Sequence, residues 1–145
     1  MDKGIAVMIM ALAGGLVALQ PAMNAGLGKS TGTLAAALIS FTVGLLAVTV
    51  VAALSGNLAG IGEAAGVPWY YWLGGLCGAV WITLSLIAVG SLGASGVVAA
   101  TITGQLTGAV IADRLGILGL SETPITLDRV IGVALLLVGT YLVVR

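Results

Sequence analysis

Each of the ten charged residues in this chain stands at the margin of an apolar run, and none stands deep inside one. They are Asp2, Lys3, Lys29, Glu63, Asp113, Arg114, Glu122, Asp128, Arg129 and Arg145. Between them lie stretches long enough for helices of about 20 residues, the length that crosses the hydrocarbon layer of a bilayer. The apolar fraction is 60% and the charged fraction 7%, where soluble domains run at roughly 45–50% and 25%. Polar groups that scarce cannot cover the surface of a water-soluble domain. Lipid is therefore the solvent for most of the chain, and the expected fold class is an all-α integral membrane protein. A strand-built barrel is excluded because the apolar runs are continuous rather than alternating.

Five spans are expected, near 4–24, 31–54, 69–89, 95–112 and 130–144, within a single transmembrane domain covering 1–145. The last is short; extending it back toward Ile125 puts Asp128 and Arg129 in its first turn. "SGNLAGIGEAAGVP" has the Gly and Pro content of a turn, and Pro68 suits the start of the next helix. Trp69, Tyr70, Tyr71 and Trp72 come next as an interfacial aromatic cluster. "GSLGASG" reads as a tight connection, and "DRLGILGLSETPITLDR" as the longest polar one, where Ser121 or Thr123 is expected to cap the last helix. Lys3 before an apolar run resembles a secretory leader. Asp2 offsets it, and four more candidate spans come after, so the first segment is expected to remain.

Composition also excludes function classes. Net charge is zero and no basic stretch exists, so no nucleic-acid partner is expected. With no histidine and one cysteine, Cys77, neither a metal site nor a disulfide nor any cofactor is expected. No nucleophile–base pair lies within the spans, and the chain is not expected to be an enzyme.

Orientation is nearly undetermined by charge. Lys3, Arg114 and Arg129 fall on the N-terminal side, against Lys29 and Arg145 on the other. An excess of Lys and Arg normally fixes the cytoplasmic side, and three against two is hardly an excess. Two readings stay open: one fixed orientation, or insertion both ways with two copies pairing antiparallel. The second has a precedent in transporters built from inverted repeats around a midplane site.

Function, if it lies in the spans, must use uncharged polarity. Gln20 and Asn24 are four residues apart on one helical face, with Pro21 beside them removing a backbone donor. Two amides and a proline point to a partly unwound segment lining a cavity. Thr101, Gln105 and Gly108 form a polar stripe of small residues at i, i+4 and i+7, and Gly104 with Gly108 makes a G-x-x-x-G packing motif. The mid-span amide of Gln105 needs a partner, which Asn24 or Gln20 could supply. Gly74 and Gly78 stack one turn apart, also as packing residues, with Trp81 and Ser85 continuing that face. A Trp at span centre can wall a cavity, including one for an organic cation. Ser40, Thr42 and Gly44 read as packing residues whose hydroxyls bond their own helix. The expected pathway-lining residues are Gln20, Asn24, Trp81 and Gln105, with Ser85 and Thr101 second.

"GLVALQPAMNAGLGKSTGTLAAALISFTVG", "WYYWLGGLCGAVWITLSLIAVGSLGAS" and "GQLTGAVIADRLGILG" together resemble the small YdcZ-like inner-membrane proteins of bacteria, a family related to the drug/metabolite transporter superfamily. The resemblance runs over nearly the whole chain. It implies about five helices and, since members occur singly, as oppositely oriented pairs or as fused ten-helix chains, an antiparallel homodimer or a pair with a paralogue. The family's polar pattern maps here onto Gln20, Asn24, Ser40, Gly74, Gly75, Gly78, Gln105 and Asp113. Related multidrug exporters carry a glutamate inside the first helix; this chain has none, which argues against proton-coupled export by that route.

The combined expectation is a multi-pass inner-membrane transporter of a small solute. It would work by alternating access around an uncharged polar site between inverted protomers. A channel or passive facilitator, and a non-transporting membrane scaffold subunit, stand as alternatives.

Overall fold

A computed structural model describes residues 2–145. Every regular element in them is helical, and no strand occurs among the described residues. Four long helices run α1 Lys3–Thr31, α2 Thr33–Leu54, α3 Leu73–Leu115 and α4 Leu127–Val144. Each is long and apolar enough to cross a membrane. In hydrocarbon a backbone must satisfy its own N–H and C=O groups, and a helix does so within one segment.

At 43 residues α3 would be about 65 Å long if it were straight, twice the hydrocarbon thickness. It is not straight. Gly93 leaves the helical region with φ 67 and ψ 171, dividing α3 into an N-terminal arm, 73–92, and a C-terminal arm, 94–115, each of spanning length. Gly32, with φ 85 and ψ 159, separates α1 from α2 in the same way. At positive φ with ψ near 180° only glycine sits without strain. One glycine thus does the work of a whole turn at two places.

The connection expected at "SGNLAGIGEAAGVP" has more structure than a turn. Left-handed Gly56 ends α2, and Asn57–Gly66 then winds as a 3-10 helix. Pro68 precedes a second short one at Trp69–Trp72, whose rings stack edge-on and tilted, with Tyr70 and Tyr71 centroids 4.7 Å apart. Two expectations are corrected. The cap of α4 is Thr126, whose hydroxyl accepts from Arg129 N–H at 3.4 Å, rather than Ser121 or Thr123. The segment around Pro21 is not unwound, because α1 runs through it without a break. Asp2 caps the start of α1, its carboxylate accepting from Gly4 N–H at 2.8 Å.

The chain divides into two compact units. One is Ala22–Ile87. Its core is Ala36, Ala37, Ile82 and Leu86, with Ala25, Leu27 and Trp81 packed against it. The helices approach closely through small residues: a Cβ placed on Gly28 would meet Ala36 and Leu86 at 3.7 Å. Gly78 lies against the Phe41 ring, 3.6 Å from where its Cβ would stand. The other unit joins the chain up to Pro21 with Ala88–Arg145. Here Gly96 packs against Val144, and Thr103 against Thr140. Most large apolar side chains, Leu16, Leu45 and Leu135 among them, face outward. In water that exposure would be ruinous; in lipid it costs nothing.

Candidate functional site

In unit Ala22–Ile87 three of the residues singled out from sequence lie close to or within the interior. Asn24 is only 6% exposed, and its amide nitrogen Nδ2 has no hydrogen-bond partner among the described residues. Orphaned buried donors are rare, since each costs about 1–3 kcal/mol. Ser85 is equally buried but satisfied: its hydroxyl donates to the Ile82 carbonyl at 2.8 Å. Trp81 is half-buried and packs on the apolar core.

In the other unit the named residues sit differently. Gln20 and Thr101 are half-buried, and Gln105 is exposed. The glycines expected to pack helices divide as well. Gly78 does so, against Phe41, whereas a methyl group added at Gly74, Gly104 or Gly108 would have no neighbour within 4 Å. Among the described residues nothing lies within 4 Å of a methyl group placed on either glycine of the G-x-x-x-G of α3. Thr42 bonds its own helix as expected, donating to the Leu38 carbonyl at 2.8 Å.

The unit made of the chain up to Pro21 and Ala88–Arg145 also holds a cavity of about 570 Å³, a size suited to a small ligand. Its walls include Ala18, Ser95, Val98, Ala99, Gly139 and Thr140, and are almost wholly apolar. None of the six residues expected to line a pathway lines this cavity. Beside it lies a hydroxyl cluster that sequence reasoning misses. Thr103 Oγ1 and Thr140 Oγ1 are 2.6 Å apart, both reach the Ala99 carbonyl at 3.0 Å, and Thr107 donates to the Thr103 carbonyl. A signal was available: Thr140 is the one hydroxyl residue, Tyr141 apart, in the apolar run from Val130 to Val144.

Asp113 joins the connector after α3 to the start of α4. Its carboxylate pairs with Arg129 at 3.3 Å, the same guanidinium nitrogen donates to Thr123 Oγ1 at 3.3 Å, and Thr123 N–H donates to the Asp113 carbonyl at 2.9 Å. The connector after α3 is thereby clasped to the start of α4. No group of three or more metal-binding side chains gathers among the described residues.

Among the described residues the arrangement offers hydrogen bonding and apolar contact. Residues 5–142 match the family DMT_YdcZ, described as "Putative inner membrane exporter, YdcZ". No curated protein and no solved structure matches the chain. With 5–142 covered and its helices long enough to span, the chain belongs to the DMT_YdcZ family and is a multi-pass inner-membrane protein of transporter type.

Proposed function

We propose that this exporter moves a small neutral or weakly charged solute by alternating access around an uncharged polar site, and that two inverted copies of the chain form the transporting unit. The supporting observation is Asn24. A donor on a side chain only 6% exposed, and left without a partner, is stable only if something else meets it for part of the time. A solute carrying a hydrogen-bond acceptor supplies that contact. The proposed lining within unit Ala22–Ile87 is Asn24, Trp81 and Ser85, with Asn24 its best supported member. The Asn24 amide and the Ser85 hydroxyl hold the solute's polar groups, and the Trp81 face its apolar side.

Solute screening by thermal shift, with wild type beside Asn24→Leu, tests this reading. A solute that stabilises the wild type should leave Asn24→Leu unmoved. Equal stabilisation of both would exclude Asn24 from the site. The second reading, an uncoupled facilitator, is favoured by the lack of any ionisable residue deep in a span. Flux that is indifferent to a proton gradient would select it.

A further inference from the structure

The C-terminal arm of α3 has two faces of opposite character. Thr103 is buried and Thr107 half-buried, while Gly104, Gln105 and Gly108 are exposed. Thr103 and Gln105 are two residues apart, about 200° around the helix. Gly104 and Gln105 are also the two central residues of the arm 94–115, which places them near the bilayer midplane. A lysine near a helix end can reach water along the surface. A glutamine at mid-span lies about 15 Å from either interface and cannot. Its amide must therefore be met by protein or by water held in a protein-lined hollow.

The chemistry of the group narrows the partner. A carboxamide carries an acceptor and two donors, so it complements itself, as no charged side chain does. A two-fold axis sets a residue opposite its own copy. When that axis lies in the membrane plane, only residues at the centre of a span meet themselves. Flanking glycines with open space above them let two backbones approach closely enough for short side chains to touch.

We infer that the exposed Gly104–Gln105–Gly108 face of α3 packs against the same face of a second, inverted copy, and that the two Gln105 carboxamides bond reciprocally at the bilayer midplane. This rests on the inverted pair proposed above and adds its contact surface.

Disulfide trapping in native membranes tests it, on a chain whose one cysteine is removed by Cys77→Ala. Gln105→Cys in that background should form a covalent dimer under mild oxidant. Thr101→Cys and Gly108→Cys should not do so singly. In an inverted pair each lies about 10 Å along the helix axis from its own copy, beyond the ~7 Å Cα reach of a disulfide. Expressed together under different tags, those two should cross-link to each other. Absence of the 105 dimer overturns the inference, and so do 101–101 and 108–108 dimers. In detergent, Gln105→Leu should weaken self-association about five- to tenfold; unchanged association also overturns it. If trapping fails while Asn24→Leu still loses its solute response, the contact surface is wrong and the solute site stands. If trapping succeeds while Asn24→Leu keeps that response, the contact surface stands and the solute site is wrong.

Discussion

Thr103 and Thr140, 37 residues apart in sequence, bring their hydroxyl oxygens to 2.6 Å and share one carbonyl acceptor, that of Ala99. Two protons serve this trio: one hydroxyl donates to the carbonyl and the other donates to that hydroxyl. The bond ties α4 to the C-terminal arm of α3 in a region otherwise held by apolar contact, where hydrophobic driving force between helices is weak.

Replacing either threonine by valine keeps the shape and removes the hydroxyl–hydroxyl bond, while the remaining hydroxyl keeps the Ala99 carbonyl as acceptor. Thr103→Val or Thr140→Val should each lower unfolding stability by about 1 kcal/mol. The double variant should cost hardly more than one single, because both partners of the bond are then gone. Thermal unfolding in detergent reads this. Full additivity of the two losses would show that the hydroxyls act separately.

Gly93 and Gly32 break their helices at φ 67 and φ 85. Alanine at either position meets no neighbouring atom, so any loss comes from backbone strain alone. Gly93→Ala should cost about 1–3 kcal/mol, while Gly90→Ala, within the helix and also free of neighbours, should be nearly neutral. Similar unfolding temperatures for the two variants would contradict the strained break.

These breaks show how far sequence could lead. Continuous apolar runs and marginal charges suffice to announce an all-helical membrane protein, since lipid leaves the backbone few options. Runs of Gly and Ser around Gly93 signalled a connection, but not that one residue would carry it. That depends on a φ value, which composition does not report. Asn24 and Gln105 stood out as lone amides in fat; which is buried and which exposed is decided by packing between segments far apart in sequence. The Thr103–Thr140 bond left only the lone Thr140 hydroxyl as a trace, and it points to no partner, because hydroxyls in membrane helices ordinarily bond their own backbone, as Thr42, Thr49 and Thr83 do here.

Arg129 and Asp113 are each about one-third exposed, at 36% and 35%. Water screens such a contact, so Asp113→Asn should cost no more than about 1 kcal/mol. The variant should keep wild-type solute binding, since the residue clasps a connector. Abolished binding with a folded chain would move Asp113 into the site.

Loop charge is so evenly divided that one residue should tip it. Lys29→Gln leaves Arg145 alone against Lys3, Arg114 and Arg129, and should drive the chain into a single orientation with the N-terminus inside. C-terminal reporter fusions, one active in the cytoplasm and one outside it, should both respond for wild type and only one for the variant. A wild type that satisfies a single reporter would remove the inverted pair.

The central claim is that the buried amide of Asn24 belongs to a water-accessible hollow. Its most direct test is the labelling rate of Asn24→Cys, in the Cys77→Ala background, by a water-soluble thiol reagent in intact membranes, beside Leu45→Cys. In the single chain Leu45 is 67% exposed and Asn24 6%, so exposure alone ranks Leu45 first. The hollow reverses that order: Asn24→Cys should label readily and Leu45→Cys, facing acyl chains, hardly at all. An unlabelled Asn24→Cys, or a Leu45→Cys that reacts as fast, would contradict it.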